Sequence, residues 1–229
     1  MIPHLLQPAS ALPEHAEALL APAEVAIYAA LKVPKRRSDW LLGRITAKQL
    51  VAAHLGKQND APTLQEIVVA AGNDGAPFVS LHGAQLPLSL SISHSHAVAF
   101  CALVDAPGAA VGVSATVGAD IEFIETRDPA FLRDYFTADE QAAAWAWPEP
   151  EVATTLLWSA KEAMLKALRE GLRVDTRHVR IGLPAVLGDA WSPFTIALHP
   201  ELAAHFPGVY SGWARRDGGF ILTLALRIC

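Results

Sequence analysis

The chain predicts an α+β fold built from two similar halves that meet near residues 105–115. Two observations point there. Helix-like and strand-like segments run in the order helix, helix, strands and then helices, helix, strands. The composition, 52% hydrophobic and 18% charged, suits a soluble, packed chain of 229 residues rather than a disordered one. The halving rests on element order alone, because no repeat in the residues links residues 1–110 to 111–229.

Residues 13–31 are rich in Ala, Leu and Glu and read as a helix interrupted at Pro34. Ser38 or Asp39 then offers a cap for a second helix from Trp40 to Leu55, which Gly56 is placed to end. Residues 66–71 and 78–81 read as strands around the turn Gly72-Asn73-Asp74-Gly75. Leu88–Ile92 and Ala97–Val104 read as strands separated by the polar run Ser93-His94-Ser95-His96. A turn or linker is expected at 105–110.

In the second half, Gly118–Phe123 reads as a strand. Pro129–Phe136 and Ala138–Trp147 read as helices with Thr137 as the cap between them, and Pro148 and Pro150 break the pattern. A long helix from Thr154 to Glu170 should stop at Gly171. Residues 179–181, 194–198 and 220–226 read as antiparallel strands.

Several functions are excluded or disfavoured at this level. A net charge of −5 argues against a generic nucleic-acid binder. Cys101 and Cys229 form no Cys-x-x-Cys pair, so neither a zinc knuckle nor a disulfide framework is expected. The start Met1-Ile2-Pro3-His4 carries no leader pattern and no run is long enough for a bilayer, so a cytoplasmic protein away from the membrane is expected. No Walker loop and no Gly-x-Ser-x-Gly elbow occurs.

Four clusters carry chemistry. Asp120 and Glu122 stand two apart in a strand and share a face, an arrangement that suits a hard cation as well as it suits a solvated strand end. On the long helix, Trp158, Glu162, Leu165, Lys166 and Arg169 share one half, with Ala160, Ala163 and Ala167 opposite as a smooth packing face. Glu162 and Lys166 at i, i+4 also fit a simple surface pair. Ser91, Ser93 and Ser95 alternate with Ile92, His94 and His96, giving either a phosphate-binding corner or an ordinary polar turn. Arg36, Arg37, Arg44 and Lys48 put positive charge on and before the second helix.

In company, these clusters resemble the Sfp-like phosphopantetheinyl transferases, somewhat closer to the siderophore-associated branch. The resemblance rests on Gly118-Ala119-Asp120-Ile121-Glu122 followed by Trp158-Ser159-Ala160-Lys161-Glu162-Ala163-Met164-Leu165-Lys166. Ser91-Ile92-Ser93-His94-Ser95, Phe136-Thr137-Ala138-Asp139-Glu140 and Arg36-Arg37 through Leu42-Gly43-Arg44 add to it. Where the family often has Gly-Lys-Pro, this chain has Gly75-Ala76-Pro77, so that lysine's contact is absent.

The resemblance implies a 4′-phosphopantetheinyl transferase fold, a pseudo-dimer with the active site in the cleft between its halves. Residues 1–110 would bind mainly the nucleotide of coenzyme A, and residues 111–229 would be metal-binding and catalytic. It implies Mg²⁺-dependent transfer (with Mn²⁺ as a substitute) of 4′-phosphopantetheine from coenzyme A to a serine of an apo carrier protein. Asp120, Glu122 and Glu162 would hold the metal. Lys161 and Lys166 would offset phosphate charge, and Arg37, Arg44, Gly75, Pro77, Ser93 and His94 would bind coenzyme A. Glu162 and Lys166 would be catalytic, Glu162 taking the serine proton directly or through a water, with a base supplied by the metal as the alternative. The carrier would dock near residues 123–150, where Phe123, Phe131, Tyr135 and Phe136 lie in sequence, and the enzyme would act as a monomer. Two rivals are a non-catalytic coenzyme A-binding regulator and a Mg²⁺-dependent phosphohydrolase.

Overall fold

The computed structural model describes residues 2–56, 61–106 and 114–229. The expected junction at 105–115, and with it the boundary between 110 and 111, falls mostly on residues outside that set. The fold is mixed α+β. Strands β1 (His4–Pro8), β6 (Val98–Asp105) and β5 (Leu88–Ser95) form one antiparallel sheet in that order. Strands β2 (Ile67–Ala71), β3 (Pro77–Leu81) and β4 (Ala84–Gln85) form a second. The third has five strands in the order β7 (Ala115–Phe123), β11 (Phe220–Ile228), β10 (Val209–Asp217), β9 (Ser192–Leu198) and β8 (Val179–Gly182).

One long helix packs on each larger sheet. Helix α2 (Pro34–Leu55) lays Ala47, Leu50 and Val51 against Leu88, Leu90, Cys101 and Leu103. Helix α5 (Pro150–Leu168) lays Leu156, Ala160, Ala163 and Met164 against Ala214, Ile221 and Ala225. The reverse faces of the two sheets close a further core, with Phe100 and Ala102 of β6 against Val117, Ala119 and Ile121 of β7 and Leu222 and Leu224 of β11.

Hydroxyl groups also join the sheets along the β5–β7 seam. Val117 N donates to Ser89 Oγ (3.0 Å) and Ala119 N donates to Ser91 Oγ (2.9 Å). Side chains here do what a backbone ladder does elsewhere, satisfying amides that would otherwise be buried without partners.

A buried ion pair occurs twice along the chain. Glu24 is the third residue of α1 (Pro22–Ala30). Its carboxylate accepts from Ala21 N (2.9 Å), Val69 N (2.9 Å) and Lys48 Nζ (2.5 Å). Glu140 holds the same place in α4 (Ala138–Trp145), accepting from Thr137 N (2.8 Å) and Ile181 N (2.9 Å), with Lys161 Nζ at 2.9 Å. Each carboxylate thus ties a helix start, a strand amide and the lysine of the long helix together.

Several boundaries differ from expectation. Residues 16–19 form a 3₁₀ turn and only Pro22–Ala30 is α-helical. Helix α2 begins at Pro34 rather than after it, because proline fits the first helical position, where no amide bond is needed. Ser38 and Asp39 therefore lie inside the helix. Ser93, His94 and Ser95 belong to β5, and the tight turn lies at His96 and Ala97, both at positive φ. Helix α3 (Pro129–Tyr135) and the Thr137 cap fall as expected. Strand β10 and the short α6 (Pro200–His205) were not expected. Helix α5 ends not at Gly171 but at Arg169, a left-handed residue with φ of 62°.

The pairing at Lys161 makes a stability prediction. Replacing Lys161 with Met leaves the Glu140 carboxylate buried without its counter-ion and is expected to destabilise the protein by about 3–5 kcal/mol. Urea denaturation checks this; an unchanged midpoint would mean that the ion pair does not hold the fold.

Candidate active site

The site starts from close packing. A Cβ on Gly118 would lie 1.7 Å from the Ala163 carbonyl oxygen, so only glycine lets α5 settle onto β7 at this point. Ala160, Ala163 and Ala167 are fully buried or nearly so on that face of the helix, as their spacing suggested. This approach brings the exposed-side residues of α5 over Asp120 and Glu122.

Lys166 is the centre of the arrangement. Its ammonium donates to Asp120 Oδ1 (2.6 Å), Ser93 Oγ (3.1 Å) and the Ala119 carbonyl (3.2 Å). Ser93 Oγ donates in turn to Asp120 Oδ1 (2.7 Å). Three elements, β5, β7 and α5, therefore converge on one carboxylate oxygen. The other, Asp120 Oδ2, is buried with no hydrogen-bond partner. An unpartnered anionic oxygen inside a protein is costly, and the usual compensation is a cation or a donor from a ligand.

Glu122 is oriented from two sides. Trp158 Nε1 donates to Oε1 (3.0 Å) and Arg127 Nη2 donates to Oε2 (3.0 Å). Trp158 is held edge-on against Phe131 and Tyr135, and Arg127 lies over the Phe131 ring. Arg127 was not singled out from the sequence, and nothing in the residue pattern marks it. Glu162 is partly buried, and its carboxyl is held above the usual carboxylate range by burial first and then by the charges of Asp120 and Glu122, with Lys166 opposing them. Glu122 is shifted the same way, by burial and then by Asp120. The surface pair between Glu162 and Lys166 that the i, i+4 spacing allowed is replaced by the bond from Lys166 to Asp120.

Other expected residues fall in different places. Lys161 is corrected: its side chain is fully buried and donates to the Thr176 carbonyl (2.9 Å) beside Glu140, so it is a core residue and not a phosphate contact. Five positions along a helix turn a side chain by about 140°, so Lys161 and Lys166 cannot serve one site. Lys48 is likewise committed to Glu24. Arg44 lies over the Trp40 ring at 4.5 Å and donates to the Val69 carbonyl, while Arg37 is exposed and lies over the Tyr28 ring at 4.1 Å. His94 lies on the α2 side of β5, opposite Ser93, 4.0 Å from Asp39, and its pKa is lowered chiefly by desolvation. Gly75 and Pro77 line a pocket of about 240 Å³ together with Ser89, Ser91 and Lys166. Phe136 is a core residue, and Phe131 and Tyr135 pack partly buried against the same core. Trp145, at the end of α4, is the aromatic left exposed there, at 62%.

Among the described residues, no group of three or more His, Cys, Asp or Glu side chains is placed to hold a metal ion. A three-carboxylate cage is therefore not formed by Asp120, Glu122 and Glu162. A site of one or two carboxylates does fit the orphaned Asp120 oxygen, and Mg²⁺ is commonly held that way, with phosphate and water completing the shell. No helix among the described residues is long and apolar enough to cross a membrane.

Comparison with known proteins bears on this half of the chain. Residues 116–210 match the family model of the 4′-phosphopantetheinyl transferase superfamily. The match takes in Asp120, Glu122, Trp158, Glu162 and Lys166. A holo-[acyl-carrier-protein] synthase of Jannaschia sp. (strain CCS1) is 38% identical over 69 residues, 27% of this chain and 46% of that protein. The chain thus spans just under half the length of this curated relative. Among solved structures, the holo-[acyl-carrier-protein] synthase of Neisseria meningitidis overlaps 48% of this chain and 95% of its own, at 18% identity and a TM-score of 0.42. The Helicobacter pylori synthase in complex with coenzyme A overlaps 48% and 97%, at 20% identity and a TM-score of 0.40.

The clustered acids set a pH dependence. A carboxyl whose pKa is raised by folding contributes stability below its ordinary range, and that contribution is lost as pH rises through the raised value. Glu162→Gln removes the penalty, so in chelator its Tm should exceed that of the parent protein near pH 8 and converge with it near pH 4. Thermal scans across that range check this; a constant gap would show that Glu162 does not titrate as described.

Proposed function

We propose that the protein is a Sfp-like phosphopantetheinyl transferase, moving the 4′-phosphopantetheine arm of coenzyme A to a serine of an apo carrier protein with Mg²⁺. The observation that carries this reading is the Asp120–Lys166–Ser93 junction. It sets an anionic oxygen without a partner and a lysine ammonium beside a pocket lined by Gly75, Pro77 and basic groups. The match of residues 116–210 to the transferase superfamily model supports the same reading. The recurrence of the buried Glu–Lys pair in both halves supports a pseudo-dimer with its active site in the cleft between them.

On this reading Asp120, with Glu122 two residues on along β7, would hold Mg²⁺ as a two-carboxylate site. Bound there, the ion would supply Lewis-acid polarisation of the phosphoryl group and positive charge for the leaving group. Lys166 carries positive charge to the pyrophosphate. The carrier serine proton passes to the Glu162 carboxylate. A bond forms between the serine oxygen and the β-phosphorus as the bond to the leaving oxygen breaks, and adenosine 3′,5′-bisphosphate departs. Trp158 and Arg127 keep Glu122 turned toward the site. Ser93 braces Asp120 rather than meeting phosphate freely, and His94, Arg37 and Arg44 take the nucleotide end. The carrier docks across residues 123–150, with Trp145 as its apolar contact, and the enzyme acts as a cytoplasmic monomer.

Incubation with coenzyme A, Mg²⁺ and a panel of apo carrier proteins, followed by intact-mass measurement, tests the reading. One phosphopantetheine should appear on a carrier serine and be absent with chelator. Asp120→Ala should lower the rate at least about 100-fold with the fold intact by circular dichroism. Coenzyme A binding with no transfer to any carrier would return the protein to a non-catalytic role, and adenosine bisphosphate released without a carrier would make it a hydrolase.

A further inference from the structure

Arg169 stands where the end of α5 calls for glycine. The Glu170 amide bonds the Leu165 carbonyl (3.0 Å) and the Arg169 amide bonds the Lys166 carbonyl (3.0 Å), the two bonds of a Schellman end, with Arg169 as its left-handed residue at φ 62°. A side chain with a Cβ is disfavoured there and glycine is not. The conformation is held from outside as well, because the Arg173 guanidinium donates to the Arg169 carbonyl. Strained residues kept in place by their surroundings concentrate where ligands bind.

The location gives the strain a use. Arg169 lines the 240 Å³ pocket from the α5 side, facing the turn that carries Asp74, Gly75 and Pro77. That turn brings one carboxylate and no cation to the lining, whereas the opposite wall brings Lys166, Arg169 and Arg173. The Arg169 guanidinium lies 3.7 Å from Asp74, too far for a hydrogen bond, and its side chain is 48% exposed. It therefore sits at the mouth in a loose ion pair with Asp74, while Lys166 and Arg173 have acidic neighbours in Asp120 and Glu170, so a polyanion entering here competes only with Asp74 for this guanidinium. Guanidinium forks match phosphate oxygens.

We propose that Arg169 is a second cation, beside Lys166, that binds the phosphoanhydride of the ligand in this pocket, and that its left-handed backbone is kept at the expense of stability for that purpose. The inference rests on the coenzyme A reading for the identity of the ligand but not for its charge. Two variants suit the backbone while removing the charge: Arg169→Gly and Arg169→Asn, since asparagine also tolerates this conformation. Arg169→Gly is expected to raise Tm by about 2 °C. Both should weaken the binding of inorganic pyrophosphate and of coenzyme A, measured by calorimetry, about tenfold. Arg169→Lys should fall between.

Wild-type affinity for both ligands in either charge-free variant would overturn the proposal, as would binding of neither ligand by the parent protein. Weaker binding accompanied by a lowered Tm in both variants would also overturn it, since Arg169 would then be structural. If the parent protein binds pyrophosphate but not coenzyme A, and the variants lose pyrophosphate, Arg169 keeps its role and the transferase reading falls. Unimpaired coenzyme A binding in the variants leaves that reading standing and removes Arg169 from it.

Discussion

Lys166 reaches from α5, past β7, to a serine of β5, and the rest of the site depends on that reach. Its ammonium is the charge that permits Asp120 to be buried at all, since a carboxylate at 3% exposure without a counter-ion would cost several kcal/mol. Because Ser93 also bonds both partners, the distance between β5 and β7 is fixed at the same point. One junction thereby neutralises an acid, joins two sheets and leaves a single oxygen unpaired.

The glycine at 118 and the alanines of α5 are the other half of that constraint. A helix lying this close to a strand can place short side chains only at the contact, so the charged residues on its flank overhang the strand instead of solvent. Glu162 is held in the field of two other acids for the same reason, which is a destabilising arrangement in the free protein. Active sites commonly hold such arrangements, and a cationic ligand reverses their sign.

Much of this was legible in the residues. The two-residue spacing of Asp120 and Glu122 put both on one strand face, and the alanine spacing of α5 named the packed side. What escaped did so for identifiable reasons. Lys161 and Lys166 both suit a phosphate by type, yet their angular separation sends one into the core, where Glu140 from α4 waits for it. That partner lies 21 residues away, and no local pattern announces it. Ser93 and His94 looked like a turn because they are polar, but the seam between the sheets uses hydroxyls as structural donors and acceptors, so polarity there marks an interior joint. Strand β10 was missed because Gly212, Trp213, Arg215 and Arg216 break the usual alternation, and only pairing with β11 makes it a strand. Arg169 was placed on the charged half of the long helix but not at its left-handed end, because helix ends are normally recognised by glycine.

The sheet order has a consequence for how the protein is assembled. The strand bearing Asp120 and Glu122 takes its ladder from β11, with Asp120 opposite Thr223, about a hundred residues further along the chain. Strand β1 similarly waits for β6, with Leu5 opposite Cys101. Each of these two sheets is therefore closed by a late-made strand returning to an early one, a topology of high contact order in which loop closure precedes most of the stabilising contacts. During synthesis β7 would spend the interval with its edge unpaired, the condition under which chains aggregate or call on chaperones. The strand on which the chemistry depends is thus also the one that the growing chain can least afford to leave waiting.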